Sequence, residues 1–432
     1  MTENLHLFPR YRQLTRREVP TPRVVTADPP ALARLARTLV RETDGAVHLL
    51  ADRNTAAAAP EIVDAIPASC TTILPGTPAV VPRIELAESI AREAAGARLM
   101  IVVGGGTLTD LAKYAARLTD VDLVSVPSAA SVDAYNSARS ALRIEGYHRT
   151  PDARVPTAIL ACPQIIAAAP AELSLAGLGD LIAKLIARLD WNLGAIVAGE
   201  AFSPREADWS ARSARYALAR LRHGGIDAAS FAALDALLVT GRTMRVYGSS
   251  RTAASSEHTI AHLWEVAIGE QLASLHGLLV VRASQLVVRA YGWILERLAA
   301  GAPATGRWPR AEEADWHARV PADMQPFAGK MREESAGRTV NDETVAERRA
   351  RVERHRDAIV ELAQRSLSDA ARGLEALDAA GIASVLPEIP GHWATRGLEW
   401  VKYLRNRYSM FDLAFEMGWE PELLAWMGAD GR

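Results

Sequence analysis

Apolar and polar positions change their rhythm along this chain of 432 residues. From residue 23 to 127, short apolar runs alternate with stretches whose apolar residues recur three and four apart. RVVTA, AVHLLAD, TTIL, RLMIVVGGG and DLVSVP read as strands, and residues 30–43, 56–66, 81–95 and 109–118 read as helices. Such alternation predicts βαβ units and a mostly parallel sheet. The unbroken apolar run LMIVV fits a strand buried on both faces. From 128 to 161 the rhythm is irregular, and SALRIEGY and VPTAILA suggest a short β-excursion. Beyond Pro163 nearly every stretch is rich in Ala, Leu and Arg at helical spacing. The prolines of PQIIAAAP mark the junction, giving an α/β domain over 1–165 and an all-α domain over 166–432.

Composition narrows the class. Apolar residues make up 49% of the chain and charged residues 23%, which excludes general disorder. Lys and Arg number 49 against 51 Asp and Glu, so the net charge of −2 gives no electrostatic reason to bind nucleic acid or an anionic membrane. Residues 310–356, including ETVAERRARVERHRD, mix both signs and read as a solvated helix surface. Cys70 and Cys162 alone form neither a disulfide framework nor a thiolate metal site. MTENLHLFPRYRQ has no basic-then-apolar leader pattern, and no uninterrupted apolar run reaches about 18 residues. The expectation is a soluble, cytoplasmic protein.

Two segments carry candidate chemistry. Gly104, Gly105 and Gly106 end an apolar strand just before a helix, where backbone N–H groups can receive a pyrophosphate. Thr107 or Thr109 is a possible cap for that helix, with Asp110 in its first turn. The common G-x-G-x-x-G fingerprint fails, because position 109 is Thr; a plain strand-to-helix turn uses glycines as well. The second segment holds His258, His262 and His276, three of ten histidines. His258 and His262 are i,i+4 and share a helix face, whereas His276 lies about 27 Å further along a straight helix. It joins them only if the chain turns between, and Gly269 offers a place. Spacing alone does not say which two would bind a metal. Asp180 follows Gly177 and Gly179 and opens an apolar run, as either a helix N-cap or a ligand.

The pattern G-G-G-x-x-x-D-x-x-K over Gly104–Lys113 resembles the dehydroquinate synthase-like and iron-containing alcohol dehydrogenase superfamily. A-G-x-G-D-x-x-A-K from Ala176, SSRTAASSEHTIAH followed by His276-Gly277, SVPSAASVDAYNS, and RNRYSMFDLA near the C-terminus resemble the sn-glycerol-1-phosphate dehydrogenases. That resemblance implies a dehydroquinate synthase-like fold: an N-terminal dinucleotide-binding α/β domain and a helical domain carrying a divalent metal. It implies Asp180, His258 and His276 as metal ligands, with Asp180 also touching substrate, and His262 and Asp133 as substrate-facing groups. The candidate NAD or NADP contacts are Gly104, Gly105, Gly106, Thr107 and Asp110 at the glycine turn, Asp52, which ends AVHLLAD and can bond a ribose hydroxyl, and, by the resemblance, Ser128, Ser131 and Ser137. Zn²⁺ is the first choice of metal, with Ni²⁺ or Fe²⁺ as alternatives. Departures fall near the expected cleft: Cys162 replaces the usual Asp, SRTAASS lacks a Pro and a Gly, and Val281 and Arg282 follow the last ligand.

These readings converge on a metal-dependent, NAD(P)-linked dehydrogenase of a polyol or keto-sugar, or its phosphate, in a homo-oligomer. Arg149, Lys184 and Arg251 are the first cations to consider for a phosphate, with a plain surface role equally open to Arg149. A sugar-phosphate cyclase, suggested by EHTIAHLWE, and a non-catalytic nucleotide sensor are the competing readings.

Overall fold

Eight short strands form before residue 162: β1 (Arg23–Thr26), β2 (Ala46–Asp52), β3 (Cys70–Leu74), β4 (Ala97–Gly104), β5 (Asp122–Pro127), β6 (Leu142–Ile144), β7 (Tyr147–Arg149) and β8 (Ala158–Ala161). They belong to a computed structural model that describes residues 22–429 except 78, 146, 273, 306–315 and 336–339. Six strands build one parallel sheet in the order β1-β8-β5-β4-β2-β3, and β6 and β7 pair as an antiparallel hairpin. On β4, Ile101 and Val103 pack into the layer under one face, while Met100 and Val102 pack under the other. All four are inaccessible to solvent, which is why this strand is apolar at successive positions.

The crossovers are α1 (Pro29–Glu42), α2 (Arg53–Ala58), α3 (Pro60–Val63), α4 (Ile84–Glu93) and α5 (Gly106–Thr119). Three local expectations are corrected here. The single helix over 56–66 is two, because Pro60 starts a new one and holds Ala59 out of the helical region (φ −133°, ψ 50°). VPTAILA is no excursion: β8 lies between β1 and β5, where Ile159, Leu160 and Ala161 are buried. A run of four apolar residues fixes neither its partners nor its place in a sheet. The helix after the glycine turn begins at Gly106 with Gly105 as its N-cap residue, so Thr107 and Thr109 lie within its first turn and cap nothing.

Helices then take over: α6 (Pro163–Ala168), α7 (Ala171–Ala198), α8 (Pro204–Tyr247), α9 (Ser256–Ala267), α10 (His276–Ala299), α11 (Ala328–Ser335), α12 (Asp342–Arg354), α13 (Arg356–Ala379), α14 (Gly391–Leu404), α15 (Met410–Glu416) and α16 (Glu420–Ala429). The α8 stretch is broken at Gly225 (φ 70°, ψ −170°). Helix α7 is buried on nearly every side, because α8, α10 and α13 all pack on it. Stretches of α8 and α10 are long and apolar enough to cross a membrane, yet most of each is buried in this bundle.

The bundle meets the sheet at the loop following β5. There Asn136 donates to the Leu238 carbonyl of α8 at 2.9 Å. Gly177 of α7 lies so close to the same loop that a Cβ would stand 1.8 Å from the Ala130 carbonyl oxygen.

Candidate active site

Asp180 lies nine residues inside α7, so the N-cap alternative is excluded. The neighbouring glycines serve close approach instead. A Cβ on Gly179 would meet the Gly277 carbonyl oxygen at 2.8 Å, and one on Gly277 would meet the Ala176 carbonyl oxygen at 1.9 Å. Helices α7 and α10 therefore touch backbone to backbone where Asp180 and His276 stand. Helix α9 brings His258 and His262, and the 3₁₀ turn Gly269–Leu272 reverses the chain before His276 opens α10. The turn expected at Gly269 is present, with φ +66°.

Three histidine rings and three carboxylates converge as a result. His258 Nε2 is 3.1 Å from Asp180 Oδ1, and the His258 and His276 ring centroids are 5.3 Å apart. His262 stacks on His276 at 4.9 Å. Each imidazole is oriented through Nδ1 by a carboxylate: Glu257 on His258 at 3.0 Å, and Glu265 on both His262 at 2.7 Å and His276 at 2.8 Å. Since a carboxylate only accepts, each Nδ1 carries a proton, and Nε2 is the ring nitrogen that would coordinate an ion. Buried Lys184 donates to Asp180 Oδ1 at 3.0 Å and to Asp133 Oδ2 at 2.9 Å, tying the bundle to the loop after β5.

Two triads bring one ligand atom each within 4.8 Å of one another: Asp180, His258 and His276, and His262, Glu265 and His276. The first fits an ion better. Asp180 Oδ2 is buried with no hydrogen-bond partner among the described residues, whereas both oxygens of Glu265 already accept from imidazoles. A carboxylate and two imidazoles are suitable donors for Zn²⁺ or a neighbouring divalent metal, and leave coordination open to substrate. The electrostatics agree. Burial alone would raise the Asp180 carboxyl, but Lys184, His258 and His276 hold it well below the usual range. Burial would lower His276, yet Glu265, with Asp180 and Asp133, pushes it up to about 9. A field that keeps a buried imidazole protonated is one that favours a cation.

The glycine turn lies across the β5 loop from this cluster. Between β2 and β4 the strand order reverses, which is where open α/β sheets bind ligands. Asp52 ends β2 on one side of that point and Gly104 ends β4 on the other. The three glycines are not equivalent. Gly104 is closed by Leu108 and Gly106 by Val132, whereas a Cβ on Gly105 would enter open space. Asp52 caps α2 through a bond from Thr55 N at 2.7 Å. Ser128 and Ser131 line the buried loop, and Ser128 N donates to the Gly104 carbonyl at 3.1 Å. Asp110 is buried against Lys113 at 3.1 Å, and Lys113 also donates to Ser137 Oγ at 2.9 Å.

The chain's matches to known proteins follow this geometry. The iron-containing alcohol dehydrogenase family model matches residues 26–170. A glycerol-1-phosphate dehydrogenase [NAD(P)+] from Metallosphaera sedula is 33% identical over 219 residues, 49% of this chain and 61% of that protein. One from Methanothrix thermoacetophila is 36% identical over 217 residues, 48% of this chain and 60% of the relative. The matched stretch thus spans about three fifths of these curated relatives. The iron-containing alcohol dehydrogenase structure from Corynebacterium glutamicum aligns over 95% of this chain and 96% of its own, with a TM-score of 0.56 at 15% identity, a likeness of fold. Over the matched stretches the chain is similar to the iron-containing alcohol dehydrogenases and to the glycerol-1-phosphate dehydrogenases.

The iron-containing alcohol dehydrogenase match ends at Pro170, one residue before α7, so the histidine cluster stands outside it. Three groups around the cluster escaped sequence reasoning. Glu265 joins two histidines, and its signal is its place three residues after His262. Glu257 orients His258 from the adjacent position. Buried Asp190 accepts from Ser255 at 2.6 Å, Tyr291 at 2.8 Å and Met410 N at 3.1 Å, linking α7, α9, α10 and α15. Two of the cations considered for a phosphate are occupied elsewhere. Lys184 bridges carboxylates, and Arg251 is buried against Glu200 with further bonds to the Asp190 and Tyr408 carbonyls. Arg282 turns away as well, donating to the Pro387 carbonyl at 3.0 Å.

Proposed function

We propose that this protein is a metal-dependent, NAD(P)-linked dehydrogenase that interconverts a secondary alcohol and a ketone in a polyol, a keto-sugar or its phosphate. The observation that carries this reading is the convergence of Asp180, His258 and His276, tied through Lys184 to the Asp133 loop that also packs on Gly106. A divalent ion on those three residues would act as a Lewis acid on the substrate oxygen. A nicotinamide dinucleotide on the Gly104–Gly106 turn would supply or receive the hydride.

The remaining work falls to the chain itself. Lys184 offsets the charges of Asp133 and Asp180 and fixes Asp180 Oδ1, while Oδ2 stays buried without a hydrogen-bond partner among the described residues. Glu257 and Glu265 fix the imidazole planes of His258 and His276. His262 lines the adjoining cleft with Nδ1 held by Glu265, so a hydroxyl proton exchanged there moves at Nε2. Glu265 stabilises the imidazolium that such an exchange forms. The named activity of the glycerol-1-phosphate dehydrogenase relatives makes dihydroxyacetone phosphate the first substrate to try.

The test is NADH or NADPH oxidation by zinc-, nickel- or iron-loaded protein with dihydroxyacetone phosphate and a panel of keto-sugars, alongside metal analysis. The expected outcome is net cofactor oxidation, which a cyclase that regenerates its cofactor does not give. Asp180→Ala and His276→Ala should lose bound metal and at least about 100-fold in turnover. Unchanged turnover in Asp180→Ala sinks the reading.

A further inference from the structure

Asp190 stands on α7 beyond Asp180, with its side chain inaccessible to solvent. Its Oδ1 accepts from Met410 N at 3.1 Å. Its Oδ2 accepts from Ser255 Oγ at 2.6 Å and the Tyr291 hydroxyl at 2.8 Å, with Ser256 Oγ at 3.3 Å. Among the described residues no cation pairs with this carboxylate; Arg251 donates to the Asp190 backbone carbonyl instead, at 3.1 Å. A buried carboxylate without a paired cation is costly, so its place calls for a reason.

Ser255 supplies one. Arg251 Nη1 donates to Ser255 Oγ at 3.2 Å. A guanidinium cannot accept, so the one hydroxyl proton of Ser255 is left for Asp190. Ser255 stands directly ahead of α9, yet its side chain makes no capping bond to that helix, because the hydroxyl turns to Asp190. Its backbone N–H donates to Glu257 Oε1 at 2.8 Å, and the same oxygen accepts from His258 Nδ1 at 3.0 Å. We infer that Asp190 is a positioning residue for His258, acting through Ser255 and Glu257: it anchors the backbone from which α9 starts, and thereby the carboxylate that orients the imidazole. The inference rests on the proposed metal site for its effect on an ion, but not for its geometry.

The same network occupies two motifs that the site itself leaves unused. Arg251, paired with Glu200 at 2.8 Å, sets the direction of the Ser255 hydroxyl. From the RNRYSMFDLA segment, Tyr408 N donates to Glu200 Oε1 at 2.6 Å, and the Tyr408 carbonyl accepts from Arg251 Nη2 at 2.7 Å. Met410 N completes the ring at Asp190. A segment near the C-terminus thus closes around the start of the helix that carries His258 and His262. Groups that orient a ligating imidazole typically govern metal affinity by about 10–100-fold.

The experiment measures zinc affinity by chelator competition on wild type, Asp190→Asn, Ser255→Ala and the double variant, above a pH of about 7 so that Asp190 is ionised. Nitrogen-15 spectra of histidine-labelled protein follow the His258 signal, assigned by its absence from His258→Gln. In Asp190→Asn the amide nitrogen replaces the acceptor that Ser255 needs, since Met410 N can only donate and keeps the oxygen. Each single variant should lose at least about tenfold in zinc affinity and shift the His258 signal. The double variant should bind within twofold of the weaker single one, because both changes break one path. Fully additive losses overturn the path. Tyr291→Phe removes another donor from the same carboxylate without touching Ser255, and should hold zinc within twofold of wild type. An equal loss there means that Asp190 only holds the core together, which overturns positioning. If thermal melts show Asp190→Asn unfolded, Ser255→Ala and its His258 signal decide the question alone. A wild type that takes up no zinc, with a His258 signal that still shifts in Ser255→Ala, sinks the metal reading and leaves the positioning intact. A His258 signal unmoved in every folded variant overturns it.

Discussion

A single methyl group placed at Gly277 should open the proposed Asp180–His258–His276 metal site without touching any of those three side chains. The Cβ of Gly277→Ala would sit 1.9 Å from the Ala176 carbonyl oxygen and 2.5 Å from its carbon. Both are backbone atoms of α7 and cannot rotate aside. Restoring a tolerable carbon–oxygen contact needs a separation of α7 and α10 by roughly 1 Å. His276 directly precedes Gly277 on α10, and Asp180 lies one helical turn beyond Ala176 on α7, so the same movement parts two of the three proposed ligands. Metal sites hold their ligand distances to about 0.2 Å, and losing that support typically lowers affinity about 10–100-fold. Overpacking of this kind also destabilises a fold by about 1–3 kcal/mol. Zinc affinity by chelator competition, together with calorimetric melts of apo and zinc-loaded protein, measures both effects. The control is Gly292→Ala on the same helix, where an added Cβ meets nothing within 4 Å. That variant should hold zinc as wild type does and melt no lower, since alanine favours a helix over glycine. Zinc affinity within twofold of wild type in Gly277→Ala would refute the claim that this helix contact sets the ligand geometry.

Two further perturbations reach other parts of the machinery. Gly105 has an ordinary backbone (φ −76°) and open space around its missing Cβ, so Gly105→Val should melt like wild type yet weaken NADH or NADPH binding at least about tenfold in a fluorescence titration. An unchanged affinity would place the pyrophosphate elsewhere. Burial pushes the Asp190 carboxyl up to about 7, against the bond from Ser255 and the charge of Arg251. Because its folded-state pKa lies above the unfolded value, its stabilising contribution is complete below about pH 4 and lost as pH rises through 7. Asp190→Asn removes that titration, so the wild type should lose stability relative to the variant by on the order of 3 kcal/mol between pH 5 and 8. Melting temperatures that run parallel across that range mean that Asp190 is ionised throughout.

The strands of the sheet were legible because burial on both faces leaves an unmistakable run such as LMIVV. The place of β8 was not, since a short apolar run says nothing of its neighbours. Gly177 and Gly179 misled for a physical reason. Glycine disfavours helix interiors, so G-x-G-D resembles a helix start, yet here both glycines are mid-helix because neighbouring backbone leaves no room for a Cβ. Tertiary approach overrode local propensity. The histidines were legible as a group, but their sharing of Glu265 depends on a 3₁₀ turn whose geometry no spacing rule supplies.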